Sequence, residues 1–261
     1  MDEKYPKRKI EQPIRKRNDF GKLAESYKEF RLDYPERVYS DLFIFCPDPK
    51  SSVLDLGCGT GIVTKHLAEH YSKVVGVDTA QEMLDAGMSN LPKNVQLFQG
   101  RAETLAFPER SFDLVVSAQA FHWFDYNKSG AEIVRVLQPD GKFYVFWKGN
   151  RENSSPHLPL FAYRNILKYI KEIPKSGKEP ISADIFKRIG FRKVEKEKFD
   201  FDEKFTEDGI LGYIRSHSSF NLLSEEARRK YMQENKHSLQ NELVDGVFTY
   251  KRAITIFKCE K

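Results

Sequence analysis

The chain has 261 residues, of which 40% are hydrophobic, and its formal net charge at pH 7 is +5. This length suits one large α/β domain or two small ones, and no apolar run approaches the roughly 20 residues of a membrane span. The three cysteines form no CxxC or Cys/His cluster, which argues against a metal site and against a disulfide framework. The N-terminus has no apolar segment of the kind found in secretory signals, so we expect a reducing, cytoplasmic setting.

The basic charge is concentrated at the N-terminus. Residues 1–17, "MDEKYPKRKIEQPIRKR", hold seven Lys or Arg and three Asp or Glu, a net charge of +4, so the rest of the chain is almost neutral. This distribution argues against a nucleic-acid partner and favours a solvated arm, with contact to phosphate or a membrane surface as the alternative. We therefore predict a flexible basic tail over 1–17 and a single domain over 18–261.

The predicted elements alternate from residue 50 to residue 148. Before that, apolar residues recur every three or four positions from Leu23 to Phe30 and again from Val38 to Phe45, which predicts two short helices broken near "DYP". The predicted strands are "SVLDLG", "KVVGVD", "NVQLFQG", "FDLVVSA" and "GKFYVFWK", and the helices between them are "GIVTKHLAEHY", "AQEMLDAGMSN" and "KSGAEIVRVL". Such alternation is typical of a mostly parallel sheet with helices on both faces.

The pattern changes after Asn150. "LPLFAYRNILKYIKEI" predicts a long amphipathic helix, and "ISADIFKRIGF" a short one closed by Gly190. Strands are predicted near 192–201 and 248–258, and two helical stretches, "TEDGILGYIRSHSSF" and "SEEARRKYMQENKHSLQNEL", lie between them. No Gly-, Pro- or Ser-rich linker interrupts the chain, so we expect the helices at 18–46 and 205–243 to cap the domain whose core is 50–148.

The stretch "VLDLGCGTG" carries the strongest functional signal. Gly57, Gly59 and Gly61 stand at alternate positions between an apolar strand and a helix. Glycine permits a tight turn and a close approach to the main chain, and free N–H groups at a helix start favour electronegative groups. The spacing GxGxG departs from the dinucleotide fingerprint GxGxxG, which argues against a pyrophosphate. Asp78 ends the next strand, where a carboxylate accepts hydrogen bonds from both ribose hydroxyls.

A second unusual stretch, "SAQAFHWFD" (117–125), packs aromatic side chains behind the fourth strand. It admits three interpretations: core packing, a catalytic site around His122, or the wall of a substrate pocket. A lone histidine among aromatic residues is more often packed than catalytic. Open α/β sheets bind ligands at the carboxyl ends of their strands, which favours the wall, with Phe121 or Phe124 as the part that belongs to the core.

These motifs resemble the class I S-adenosylmethionine-dependent methyltransferases. "GRAETLAFPERSFDLVVSAQAFHWFD" and "RVLQPDGKFYVF" are similar to the methyltransferase type 11 subgroup, with Asp140 in place of the first glycine of its "LKPGG"-like turn. "YKEFRLDYPERVY" and "GYIRSHSSF" look like parts of the trans-aconitate methyltransferase-like branch. The resemblance implies a Rossmann-like seven-stranded, mostly parallel sheet with an antiparallel C-terminal edge, plus N-terminal and inserted capping helices.

The resemblance also implies that S-adenosylmethionine is the cofactor. In such enzymes the glycine loop cradles its methionine part, Asp55 holds its amino group and Asp78 binds its ribose. Further cofactor-binding residues would be Cys58, Thr79, Met83, Ala102, Glu103 and Gln119. Glu103 would meet the adenine amino group or instead be a carboxylate at a helix N-terminus, and Arg101 stands where many relatives have Asp.

The N-terminal segment offers a further cofactor contact. Tyr27, Arg31 and Tyr34 are spaced to share one helical face. In the resembling family this segment closes over the cofactor, so Tyr27 or Arg31 would meet its carboxylate. The alternative is a surface ion pair beside packed tyrosines.

The acceptor stays open. The chain lacks the Pro-Pro-aromatic motif of base-amine methylation, the Pro-Cys dipeptide of cytosine C5 chemistry and the cysteines of arsenic methylation, which leaves a small molecule. Near the expected methyl position stand Trp147, Lys148, Arg151, Arg215 and His217. As a group these cations could orient a carboxylate, although each alone suits a solvent-facing charge.

His122, Trp123 and Arg215 are the candidate catalytic residues, and we expect them to act by positioning. A carboxylate is ionised near pH 7 and needs no base, whereas an amine or phenol acceptor would make His122 a candidate base. The alternatives are a methyltransferase for a macromolecule, such as RNA or a protein side chain, and a non-catalytic cofactor-binding module.

Overall fold

A seven-stranded sheet organises the chain in a computed structural model, which describes residues 29–88, 91–151, 158–170 and 180–261. The strands are β1 (Ser52–Leu56), β2 (Lys73–Asp78), β3 (Val95–Gln99), β4 (Phe112–Ala118), β5 (Leu137–Asn150), β6 (Lys193–Thr206) and β7 (Val247–Glu260). Their order is β3-β2-β1-β4-β5-β7-β6. The first five pair in parallel, and β7 runs antiparallel between β5 and β6. The predicted Rossmann-like sheet with an antiparallel C-terminal edge is confirmed.

Helices cover both faces of this sheet. They are α1 (Glu36–Phe45), α2 (Ile62–His70), α3 (Gln81–Met88), α4 (Tyr126–Val136), α5 (Leu160–Ile166), α6 (Ala183–Arg188), α7 (Glu207–Arg215) and α8 (Glu225–Leu239). Among the helices that the structure describes, none has the length and apolar character to cross a bilayer.

Two apolar layers fix the sheet from its two sides. Along β1, Val53 packs into the layer beneath α1 and α2, and Leu54 packs into the opposite layer beneath α4 and α6. This is the alternation that a strand buried on both faces requires. The carboxyl ends of β1, β2, β4 and β5 are therefore held in fixed positions at one edge.

A third apolar cluster lies under the inserted helices. Ile166 of α5, Tyr213 of α7 and Leu239 of α8 share it with Phe205 and Phe248 of the antiparallel edge. The helices between β6 and β7 are thus packed on the sheet extension and form one body with it.

The predicted break near "DYP" is confirmed, but the predicted long helix after Asn150 is wrong. Residues 31–35 are not helical, and α1 begins at Glu36 directly after Pro35. The helix α5 ends at Ile166, and the next residues form a tighter turn. The side chains of Lys168 and Tyr169 both hydrogen-bond to Glu234 on α8, at 2.9 and 3.0 Å.

Candidate cofactor pocket

The glycine loop adopts a conformation that favours glycine at every second residue. Gly57, Gly59 and Gly61 have φ angles of +77°, +56° and +82°. A β-carbon on Gly57 would lie 2.3 Å from the β-carbon of Ala120, so the loop also needs glycine for its approach to the end of β4. The amides of Gly57 and Cys58 donate to the carbonyl of Val77 at 2.7 and 3.1 Å, which ties the loop to β2.

Asp55 lies on β1, just before this loop, and its carboxylate is buried. It is 1% exposed, and its Oδ2 accepts a hydrogen bond from the Thr64 hydroxyl at 2.6 Å. Its Oδ1 has no hydrogen-bond partner among the residues that the structure describes. Burial, with the charge of Asp78 as a smaller contribution, raises the pKa of Asp55 to about 7. A buried carboxylate of this kind is completed by a cationic donor.

Asp78 clamps the loop to the tip of β2. Its Oδ2 accepts from the Gly59 amide and its Oδ1 from the Ala80 amide, each at 2.9 Å. Burial raises the pKa of Asp78, and these backbone donors oppose that shift. Each oxygen keeps a second lone pair, so the clamp is compatible with the predicted ribose contact. The sequence motif did not reveal this structural role.

Asp55 and part of the glycine loop line a cavity that is open to solvent. Its lining comprises Tyr34, Asp55, Gly57, Cys58, Gly59, Thr60, Ile62, Val63 and Ala118. Burial raises the pKa of the Cys58 thiol, which therefore stays protonated. The bare glycine backbone and the unpartnered Asp55 oxygen fit the amino-acid part of S-adenosylmethionine.

The N-terminal segment contributes Tyr34 to this cavity. The predicted helical face of Tyr27, Arg31 and Tyr34 is wrong in its described part, because residues 31–35 are not helical and Pro35 disfavours helix at Tyr34. The guanidinium of Arg31 donates to the Ser216 hydroxyl at 2.9 Å and lies 4.6 Å above the ring of Tyr213. Tyr27 falls outside the described residues, so its contact with the cofactor stays a prediction.

The predicted adenine-side residues surround the tips of β2 and β3. Met83 is buried, and its methyl group would lie 3.3 Å from a β-carbon on Gly59. Ala102 is buried in the core, and the carbonyl of Thr79 accepts from Gln99 at 3.0 Å. Residues 101–104 form a turn, so Glu103 does not begin a helix of its own.

Glu103 is nevertheless bound at a helix N-terminus. Its Oε1 accepts from the amide of Asp125, the N-cap residue of α4, at 3.0 Å, and its Oε2 lies 3.4 Å from Arg101. The interpretation as a helix-terminal carboxylate thus holds for α4. The adenine contact stays a prediction.

The end of β4 turns sharply beside the cavity. Gln119 has a φ of +55°, which is uncommon for a residue with a side chain. Its amide group donates to the carbonyl of Lys148 at 2.8 Å and its backbone N–H to that of Phe146 at 3.0 Å. Ser117 points inward to the carbonyl of Leu56, while Ala118 lines the cavity.

The aromatic run divides between the core and the surroundings of the glycine loop. Phe121 is fully buried and stacks on Tyr126, so it is the core part. Phe124 reaches the glycine loop, where its ring would lie 3.4 Å from a β-carbon on Gly57. His122 and Trp123 are half-buried in the short turn that follows β4.

The hydrogen bond of His122 decides its chemistry. The indole N–H of Trp147 donates to His122 Nδ1 at 3.0 Å. The neutral imidazole must then carry its proton on Nε2, and the lone pair that a general base would use is engaged. This geometry favours a wall and disfavours a base.

Comparison with known proteins identifies the family. Residues 54–145 match the family model described as a methyltransferase domain. The methyltransferase C25B8.09 of Schizosaccharomyces pombe is 32% identical over 206 residues, which cover 78% of this chain and 80% of the relative. The chain belongs to the class I S-adenosylmethionine-dependent methyltransferases.

Solved structures share the fold of this methyltransferase. The YcgJ protein of Bacillus subtilis superposes with a TM-score of 0.58 at 19% identity, over 87% of this chain and 99% of that one. Phosphoethanolamine N-methyltransferase 2 of Haemonchus contortus, solved with phosphomonomethylethanolamine and S-adenosylhomocysteine, gives 0.57 at 19% identity, over 95% of this chain and 60% of that one.

The cations that the sequence suggests as a carboxylate-binding group are engaged separately in the methyltransferase. Lys148 is 3% exposed and paired with Glu203. Arg151 pairs with two carboxylates of β6, and the Nδ1 of His217 lies 2.7 Å from the Ser219 hydroxyl. Arg215 is exposed, with its guanidinium 5.8 Å from the ring centre of Phe30. The role of Arg215 in catalysis stays a prediction.

Two buried charged residues escape the sequence argument. Glu203 is 5% exposed and Arg252 is fully buried, and both lie within the antiparallel edge. Alternation could have revealed them, since Glu203 stands two residues before buried Phe205, and Arg252 two before buried Ile254. A charge in register with a buried apolar face is a signal of a buried ion pair.

Proposed function

We propose that this methyltransferase transfers a methyl group in line from S-adenosylmethionine to a small-molecule acceptor. The observation that carries the proposal is the cover over the carboxyl end of β5. Phe30 packs on Gly212 of α7, and Arg31 is bonded to Ser216. Lys148 of β5 donates to the Leu32 carbonyl at 3.1 Å. A sheet end covered by this segment leaves less room for a helix of nucleic acid than for a small acceptor.

The residues of the pocket would hold the cofactor by its two polar ends. Asp55 would receive the amino group, for which its Oδ1 is available, and Asp78 would receive the ribose hydroxyls at the tip of β2. The glycine loop would let the main chain approach the ligand between them. When bound, S-adenosylmethionine supplies a methyl group that its sulfonium has already activated.

The protein's contribution to the reaction would be alignment and exclusion of water. Phe124, Trp123 and His122 would form the wall between the methyl position and the acceptor, and reacting groups held in line gain much of their rate from that placement. Since His122 Nδ1 accepts from Trp147, no base is assigned. This favours an acceptor already ionised at neutral pH, and a carboxylate is the proposed class.

A screen of radiolabelled methyl transfer to small acids, amines, phenols and thiols tests this proposal. We expect a base-labile methyl ester from an acid, with the activity lost in Asp55→Asn. Transfer only to RNA or protein would contradict the small-molecule acceptor. Transfer only to amines or phenols, abolished by His122→Ala, would contradict the reaction without a base. Binding of cofactor without transfer to any acceptor would favour the non-catalytic module.

A further inference from the structure

We propose that Lys148 is a positioning residue for donor binding, because its buried ammonium ties the segment Leu32–Tyr34 to the end of β5 and thereby sets Tyr34 as a wall of the pocket. This inference rests on the proposed function in one respect, that the pocket around Asp55 holds S-adenosylmethionine. It gives Lys148 a different role from the orientation of an acceptor carboxylate.

The contacts of the Lys148 ammonium account for all its protons. It donates to the carbonyls of Leu32 and Asp33 at 3.1 and 3.4 Å, and to the carboxylate of Glu203. An ammonium group has three N–H donors, and these three acceptors occupy them. No donor is left over for a substrate, so the function of Lys148 must act through the groups it binds.

The charges around Lys148 explain why its ammonium binds the segment Leu32–Tyr34. Glu203 also lies 3.8 Å from Arg252 Nε, so two buried cations share one carboxylate. Arg252 turns to the Tyr213 hydroxyl at 3.0 Å, and Lys148 turns to the two carbonyls of the segment. Burial lowers the pKa of Lys148, against the attraction of Glu203. Without those carbonyls a charged group would stand buried and poorly solvated, so the ammonium attracts the segment to the sheet.

Tyr34 is the part of the segment that this attraction places. Its ring meets Phe146 edge-on at 4.8 Å and lies 5.2 Å from the Lys148 ammonium. Phe146 and Lys148 are two residues apart on β5 and so face the same side of the sheet. The ring of Tyr34 therefore contacts an aromatic side chain and a cationic one at a single position. In that position Tyr34 lines the pocket together with Asp55 and Ala118.

The test is a double-mutant cycle on the affinity for S-adenosylhomocysteine, measured by calorimetry alongside thermal melting. We expect Lys148→Met and Tyr34→Ala each to weaken binding about tenfold. The double variant should bind no more weakly than the weaker single variant, because both changes remove the same wall.

Lys142→Met is the matched control. Lys142 also stands on β5 and also donates to a carbonyl, that of Phe45, but away from the pocket. It should lower the melting temperature and leave the affinity unchanged, which separates positioning from general stability. If Lys148→Met fails to fold, Lys148→Arg keeps the charge but moves it outward, and we expect weaker binding from that variant.

The outcomes distinguish this inference from the proposed function. Absence of S-adenosylhomocysteine binding by the wild type, or full binding by Asp55→Asn, would overturn the assignment of the pocket and the role of Lys148 with it. Normal binding by the wild type with unchanged affinity in a folded Lys148 variant, or additive effects in the cycle, would overturn the role of Lys148 alone.

Discussion

Asp55 is the residue whose surroundings most directly indicate a bound ligand. One oxygen is bonded to Thr64, and the other has no partner within the described part of the chain. Burial raises the pKa of this carboxyl group to about 7, and the residue lines the pocket. Perturbed carboxyl groups in such places are typical of functional sites.

The affinity for S-adenosylhomocysteine should depend on pH through Asp55. The ligand's ammonium group favours the ionised carboxylate, whereas burial raises the pKa of Asp55 to about 7. Affinity should therefore fall as pH drops through 7, and binding at pH 7 should release a proton from the protein. Calorimetry between pH 6 and 8, in buffers of different ionisation enthalpy, measures both quantities.

Asp55→Asn is the control, since it removes this titration and keeps that of the ligand. Its binding should be weaker, with a flatter dependence below pH 7. A wild-type affinity that stays constant between pH 6 and 8 would contradict the role of Asp55.

His122 should tolerate substitution better than a general base would. Removal of a base slows a reaction by roughly 10²–10⁴-fold. Because Nδ1 of His122 is engaged by Trp147, we expect His122→Phe to lower kcat by less than about tenfold and to keep the pH profile of kcat/KM. Steady-state kinetics with the acceptor identified by the screen measures this. Loss of a pH-dependent limb would show that His122 takes a proton.

The glycine loop is the element on which binding depends, and the chain offers a matched pair to test it. Gly57 and Gly246 have nearly the same φ, +77° and +76°. A β-carbon at Gly57 would meet Ala120, whereas no described residue other than its chain neighbours lies within 4 Å of one at Gly246. Gly246→Ala should cost only the left-handed strain, about 1–2 kcal/mol, and leave binding unchanged.

Gly57→Ala should cost more stability than Gly246→Ala and abolish binding of S-adenosylhomocysteine, because the loop must move away from Ala120. Chemical denaturation and calorimetry on both variants separate the two effects. Equal losses of stability with intact binding in both would contradict the argument from close approach.

The sequence predicted the elements that local pattern controls. All seven strands were expected, since each combines apolar residues with a flanking turn, and the glycine loop was placed between β1 and α2. The wrong helix after Asn150 shows the limit, since α5 is shorter than its apolar periodicity predicts and the residues after it contact Glu234 of α8, 66 positions along the chain from Lys168. A contact at that distance leaves no periodic signal around α5.

The candidate site was predicted where one motif supplies it and missed where several strands meet. Asp55, Asp78 and the glycines were expected from a single stretch and its following strand. The bond between Trp147 and His122 joins β5 to the turn after β4, and the Glu203–Arg252 pair joins β6 to β7. Such pairs depend on strand order and register, which the order of residues alone does not state.

At the scale of the whole molecule, deletion of the basic tail tests whether the acceptor is a small molecule or a macromolecule. Residues 1–17 carry +4 of the total charge of +5 and lie outside the described residues. Their deletion should leave methyl transfer to a small acceptor unchanged. Loss of a salt-dependent association with RNA, together with loss of transfer, would instead support a macromolecular substrate, since phosphate contacts weaken steeply with salt. Filter binding at several salt concentrations and the transfer assay measure this.

The wall after β4 has an optical consequence. The whole chain contains two tryptophans, Trp123 and Trp147, and both contact His122. The tryptophan emission of the unlabelled protein therefore arises from one corner of the molecule. A ligand that changes the polarity there should change the emission of both tryptophans at once.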